Sequence, residues 1–247
     1  MRKAMLAGLI MVVLTGTTSA DWQFTKLSET ILGSRYYDLW IDGDYLYTAA
    51  KRAVEIYSLA DPAAPQLVAQ LTTPGLANGV HVAGEYLYIG DVYGFHIADI
   101  SDPTAPVIIG SFSSNDDGYQ ERVRVRGDYA YVAAYNAGLQ VFDVSDRTRP
   151  RLAGAGDTSA YAWYVAVDGD LAAIADTFAV EFFDISDPRL PIHLSTYPAM
   201  FGLEVELRDG LAYIAYIDGM IILDMSDPAN PTPVGAPGIT GNGVCQT

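Results

Sequence analysis

The sequence predicts an all-β fold, a β-propeller of four-stranded blades, from two recurring markers and the strand pattern between them. The first marker is Gly43-Asp44-Tyr45-Leu46-Tyr47, which returns as Gly84-Glu85-Tyr86-Leu87-Tyr88 and as Gly127-Asp128-Tyr129-Ala130-Tyr131. Weaker copies are Gly169-Asp170-Leu171-Ala172-Ala173 and Asp209-Gly210-Leu211-Ala212-Tyr213, and the intervals are 41, 43, 42 and 40 residues. The second marker keeps the same beat: Asp61-Pro62 with Pro65, Asp102-Pro103 with Pro106, Asp146-Arg147 with Pro150, Asp187-Pro188 with Pro191, and Asp227-Pro228 with Pro231. Together they define repeats at about 36–72, 77–113, 120–156, 162–198 and 202–236.

Each repeat holds four short β-patterned runs. In the third, Val123-Arg124-Val125 alternates, Gly127-Asp128 turns, and Tyr129 to Ala134 is rich in β-formers. Leu139 to Val144 and Arg151 to Ala155 supply the other two runs. No window carries apolar residues at helical spacing between caps. The turns explain the markers. Glycine supplies the positive φ that a tight hairpin needs. In Ser-Asp-Pro-x-x-Pro the proline fixes φ after an aspartate able to accept backbone N–H bonds. Asp99, Asp143, Asp184 and Asp224, three residues upstream, read as turn and inter-blade hydrogen-bonding groups, because a group repeated in every blade is scaffold.

The stretch Gly127-Asp128-Tyr129-Ala130-Tyr131-Val132-Ala133, followed by Gly138-Leu139-Gln140-Val141-Phe142-Asp143-Val144-Ser145-Asp146, resembles the LVIVD repeat. The resemblance spans about residues 36–236 and implies a propeller of the kind found in exported and cell-surface proteins of bacteria and archaea. It implies no reaction, since the family has no common catalytic motif to carry over. Two departures, Ser58 in place of the recurrent Asp and Arg147 in place of Pro, predict looser turns in blades one and three.

Ahead of the repeats, Arg2 and Lys3 precede an apolar run, Ala4 to Leu14, and small residues up to Ala20. That order reads as a signal peptide over 1–20, cleaved near Ala20, with the propeller domain over 21–247 and export to the periplasm, cell surface or medium. The run is too short to span a bilayer, which takes about 20 residues. The formal charge is −16, and loss of Arg2 and Lys3 makes it more negative still. Such a surface repels phosphate backbones, so nucleic acid is not expected as a partner. The lone Cys245 permits no internal disulfide and no cysteine metal site.

Trp22 to Ser28 matches the Gln66 to Leu71 run and is expected to supply the outer strand of the last blade. Asn242-Gly243-Val244 matches Asn78-Gly79-Val80, the opening of an innermost strand. The repeats therefore fit either a five-bladed ring with a short tail or the front of a ring of six or more blades.

Loops between strands one and two, and three and four, carry the repetitive turns. Those between strands two and three, and between successive blades, vary and lie on the opposite face, where binding residues are expected. Tyr36, Tyr37, Tyr93, Tyr119, Tyr135, Tyr161, Trp163, Tyr164 and Tyr216 fall in or beside those loops and suit a glycan or protein partner. Packing between blades is the alternative for each. On the innermost strands Leu39, Val80, Val123, Val165 and Val205, with Ile41, Val82, Val125, Val167 and Leu207, are expected between blades. The alternate positions hold Asp38, Arg122, Glu204, Trp40, His81, Arg124 and Glu206, which form either a polar site or inter-blade ion pairs.

Asn115-Asp116-Asp117-Gly118 with Glu121 lacks calcium-loop spacing and reads as a solvated turn. His81, His96 and His193 have no paired spacing for zinc, and no phosphate loop or nucleophile elbow occurs, so neither a cofactor nor a metal is expected. The resulting reading is a non-catalytic binding propeller of undetermined oligomeric state. One alternative is a glycoside hydrolase using Asp38, Glu121, Glu204 or Glu206. The other is a structural spacer within a larger surface protein.

Overall fold

The computed structural model describes residues 9–15, 23–30, 36–113, 119–199, 202–216 and 219–235, with only the backbone given for 9–30, Gly202, Leu203 and Gly235. Five four-stranded antiparallel sheets follow one another along the chain, each a meander in sequence order. Blade one is Tyr36–Asp42, Tyr45–Ala50, Ala53–Ser58 and Gln66–Thr72. Blade two is Ala77–Ala83, Tyr86–Asp91, Gly94–Asp99 and Val107–Ser113. Blade three is Arg122–Arg126, Tyr129–Ala133, Leu139–Asp143 and Arg151–Gly156. Blade four is Tyr164–Asp168, Leu171–Ala175, Ala179–Asp184 and Ile192–Pro198. Blade five is Gly202–Arg208, Leu211–Tyr216, Gly219–Asp224 and Thr232–Gly235.

The innermost strand of each blade packs on that of the next, from blade one through blade five. Strand alternation sends one set of side chains toward the preceding blade and the other toward the following one. Tyr88, Phe95 and Ile97 of blade two thus meet Val123, Val132 and Phe142 of blade three. Tyr131, Leu139 and Val141 meet Val165, Ile174 and Phe183 one blade on. Phe95 and Phe142 stack with centroids 4.8 Å apart. Gly79 is required at this seam, because a Cβ there would strike the backbone of Glu121 and Arg122 in the next blade.

The repeated turns behave as their chemistry dictates. Gly43, Gly84, Gly127 and Gly169 have φ between 52° and 61°. Asp99, Asp184 and Asp224 each accept the amide of the serine two residues on at 2.8 Å, and Asp143 accepts that of Ser145 at 3.0 Å. Those bonds, joined by the serine hydroxyls and led by the Ser145 hydroxyl at 2.6 Å in the case of Asp143, hold the four carboxyls below their ordinary pKa. In blade one Ser58 substitutes for the carboxylate, and Ala60 N reaches its hydroxyl at 3.3 Å, a longer bond, while the Ala64 N to Asp61 O bond that closes the following turn is 2.9 Å as in the other blades. Arg147 corrects the other expectation. The Arg149 N to Asp146 O bond is 2.9 Å, the same as in the proline-containing turns, and Arg147 adds an ion pair to Asp128.

Two further expectations meet corrections. Gln23–Thr30 pairs antiparallel with Leu9–Thr15 and not with blade five, whose outer position is occupied by Thr232–Gly235. Leu39 and Ile41 are not packed between blades. They are 40% and 49% exposed, whereas Val80, Val123, Val165 and Val205 are fully buried. Residues 114–118 and 236–247, which hold the acidic turn, Cys245 and the Asn242-Gly243-Val244 match, lie outside the described residues.

Candidate functional site

The variable loops bring four aromatic rings together. Tyr119 enters from the link between blades two and three, Tyr135 from the turn between the second and third strands of blade three, and Tyr161 and Trp163 from the link into blade four. Tyr135 and Tyr161 stack at 4.2 Å with planes 8° apart. Trp163 sets its edge against Tyr135 at 5.0 Å, and Tyr119 approaches Tyr135 from another side at 5.6 Å. Tyr119 and Tyr161 are nevertheless 48% and 47% exposed. Tyr135 adopts φ +44°, a conformation that costs about 1–3 kcal/mol for a bulky residue and persists only where its surroundings impose it. Reciprocal backbone bonds with Ala162, 3.2 and 3.0 Å, impose it here. Trp163 is held by its indole N–H, which donates to Thr177 Oγ1 at 3.2 Å.

Buried acids anchor these loops. Glu181 Oε1 accepts both the amide and hydroxyl of Ser159, at 2.6 and 2.7 Å. Asp176 accepts the amides of Phe178 and Ala179 and the Ser159 hydroxyl. In blade two the fully buried Asp91 accepts the amides of Gly75, Tyr93 and Gly94 and pairs with His96 Nε2 at 3.0 Å. Burial works to raise the Asp91 carboxyl, but those bonds outweigh it and leave the pKa lowered. His96 Nδ1 lies 2.9 Å from Ser111 Oγ, completing an Asp91–His96–Ser111 chain with nucleophile-like order. Its place in the repeat marks it as scaffold: blades one, three and four put Glu55, Gln140 and Glu181 at the position of His96, each bonded to neighbouring loop or strand groups. Sequence reasoning passed over Asp176, Glu181 and the Asp91–His96 pair as anchors. The available signal was an acid ending the second strand of blades two and four, ahead of a tight turn.

The channel residues form two levels. At the level nearer the variable loops, Arg122 donates to Asn78 O at 2.6 Å and to Tyr37 O, and its Nε lies 3.5 Å from Asp38. Asp38 also accepts the Val80 amide at 2.9 Å. Arg124 reaches across from the level below and donates to the Tyr164 hydroxyl at 2.7 Å, which donates in turn to Glu204 at 2.9 Å. Burial pushes the Tyr164 phenol well above its usual range. These contacts, one ion pair and a set of hydrogen bonds, link blades one to three and three to five at this level.

Below it, Trp40, His81, Arg124, Ala166 and Glu206 line a cavity of about 460 Å³. Val125, Arg126, Asp168 and Gly169 also line it, which places it toward the repetitive turns and away from the aromatic cluster. Arg124 stands over Trp40 at 5.2 Å, and the His81 ring meets Trp40 at 4.1 Å. Burial, with Arg124 beside it, drives the His81 pKa down to about 3, so the ring is neutral near pH 7. Tyr93 is exposed at the rim of blade two, while Tyr37 and Tyr216 pack partly buried against the inter-blade core. Neither Tyr93, Tyr37 nor Tyr216 joins the ring cluster. Among the described residues, no group of three or more His, Cys, Asp or Glu is arranged to hold a metal ion. No helix there is long and apolar enough to cross a membrane.

Five meander sheets packed face to face in chain order, around a channel lined by their first strands, define a β-propeller. Solved structures agree on that fold. A computationally designed protein, Ika8, superposes with a TM-score of 0.67 at 9% identity, over 92% of this chain and 73% of its own. A Bacteroides fragilis protein described as a candidate 6-phosphogluconolactonase gives 0.68 at 13% identity, over 79% and 68%. At those identities the likeness concerns the fold alone. The LVIVD repeat model matches residues 36–73, 74–114, 117–158, 159–198 and 204–236, and the chain belongs to that repeat family. No curated protein matches it.

Proposed function

We propose that this chain is an exported, non-catalytic binding propeller that engages a glycan or protein partner through its variable loop face. The observation that carries the reading is the cluster of Tyr119, Tyr135, Tyr161 and Trp163, two of whose rings stay half exposed. Rigid aromatic rings with a polar tip offer large contact area at little entropic cost, which suits sugar rings and protein hot spots alike. The left-handed Tyr135 and the buried Glu181 and Asp176 beneath the loops supply preorganisation. Export rests on the leader-like order of residues 1–20.

The hydrolase alternative draws less support, because Asp38 and Glu204 are engaged in bonds between blades. The test is a triple variant, Tyr119→Ala, Tyr161→Ala and Trp163→Ala, compared with the parent on a glycan panel and against envelope proteins. Retained ligands should lose affinity at least tenfold while the β-sheet circular dichroism is unchanged. Undiminished retention by the folded variant would sink the proposal. Protection by glycan or by protein identifies which class of partner is held.

A further inference from the structure

The innermost strands carry unmatched chemistry on the side of the channel where the repeats are uniform. One residue from each blade, Trp40, His81, Arg124, Ala166 and Glu206, lines the cavity of about 460 Å³. A space of that size takes a small molecule. One level up, the bonds from Arg122 to Asp38 and from Arg124 through Tyr164 to Glu204 cross the channel. Entry is therefore from the side of the repetitive turns, where Arg126, Asp168 and Gly169 form the rim.

Arg124 and Glu206 bring opposite charges to this cavity without meeting. Among the described residues neither has an ion-pair partner, whereas Arg126 at the rim is paired with Asp170. Arg124 donates to Val123 O at 2.9 Å and to the Tyr164 hydroxyl at 2.7 Å, which leaves its guanidinium with N–H donors to spare. Beside it His81 is only 8% exposed, and its Nδ1 is buried without a hydrogen-bond partner. A buried polar atom left unpaired is costly, and native folds seldom keep one without a use. Trp40 holds both groups in place, with Arg124 over its ring at 5.2 Å and the His81 ring against it at 4.1 Å. A simple ion suits the cavity poorly, because Glu206 repels an anion and Arg124 a cation. A molecule that carries both charges answers both side chains. We propose that the cavity binds a small zwitterion of the amino-acid class, its carboxylate held by Arg124 beside His81 and its ammonium by Glu206. Val125, Ala166 and Val167 supply apolar lining for the rest of the molecule. This site is distinct from the aromatic loop face and needs no partner there.

Calorimetric titration of the full chain with a panel of free amino acids tests the assignment. At least one should bind, saturating at one molecule per chain. The matched acid without the amine, and the matched amine without the carboxylate, should each bind at least tenfold more weakly. Glu206→Gln should weaken the amino acid at least tenfold and should not weaken the matched acid. Arg124→Gln should weaken both. Arg124 also tethers Tyr164, so that variant may lose its fold; the exposed Glu206 makes no hydrogen bond or ion pair among the described residues, and its variant keeps the test readable. The proposal is overturned by absence of binding across the panel, by an acid or amine analogue as tight as the amino acid, or by undiminished binding in Glu206→Gln. The triple variant of Tyr119, Tyr161 and Trp163 should bind the amino acid as the parent does. Loss of binding there would put the ligand on the opposite face and overturn the proposal as well.

Discussion

His81 shows how a single side chain is recast by its neighbours. In the open chain an imidazole titrates near about 6.5. Beside Arg124, and packed on Trp40, it titrates at about 3. A base whose folded pKa is lowered binds more protons unfolded than folded throughout that interval. Its contribution to stability is complete above about pH 6.5 and is lost as the pH falls toward 3. Urea denaturation between pH 7 and 4.5 should show stability falling, and His81→Gln should flatten the fall. An unchanged slope in the variant would show that His81 is protonated in the fold. Asp99, Asp143, Asp184 and Asp224 act lower on the scale: their folded pKa values are depressed, so their contribution fades only below about pH 4. Their role was legible from the repeat, because an aspartate two residues before a turn amide needs nothing beyond local chain to bond it. Glu181 was not legible, since its partner Ser159 is supplied by a different loop.

At the scale of elements, the seam between blades depends on how closely two strands can approach. Gly79 has no substitute there, because the Glu121 and Arg122 backbone occupies the place of a side chain. Gly79→Ala should cost about 1–3 kcal/mol in a urea melt, the usual penalty for overpacking. Gly84→Ala, at an open turn, tests only the positive φ. The strands themselves were readable from two-residue alternation and turn residues, and each copy became a meander blade. Their pairing across the ends was not. Gln23–Thr30 looks like a fourth strand in sequence, yet pairing is a choice among available edges, and in the chain that still carries its leader-like residues Leu9–Thr15 offers one.

Across the whole molecule, stability should follow the number of neighbours each blade has. Repeat architectures gain most of their cooperativity from nearest-neighbour interfaces. Blades two, three and four have two such interfaces, and blades one and five have one among the described residues. Native-state hydrogen exchange should therefore be slowest in Tyr129–Ala133 and Leu171–Ala175. It should be faster in Leu211–Tyr216, where Tyr213, Ala215 and Tyr216 are only partly buried. Uniform protection across all five blades would mean that the terminal faces are covered in solution. The functional asymmetry also belongs to this scale: the aromatic cluster and the polar cavity lie toward opposite faces of one channel.

The sequence by itself determined the propeller, its period, its turn chemistry and the division into a repetitive and a variable face. Those properties are local, written in strand alternation, in Gly-Asp and Asp-Pro turns, and in their recurrence. Only the tertiary structure decided which loop tyrosines meet, placing Tyr119, Tyr135, Tyr161 and Trp163 together and leaving Tyr37, Tyr93 and Tyr216 apart. It also decided that Arg122 and Glu204 bind neighbouring blades, and that Leu39 and Ile41 stay exposed while Leu46 and Tyr57 beside them are buried. Each of these depends on how one blade sits beside another. That geometry is set by packing between residues some 40 positions apart, which no local pattern encodes.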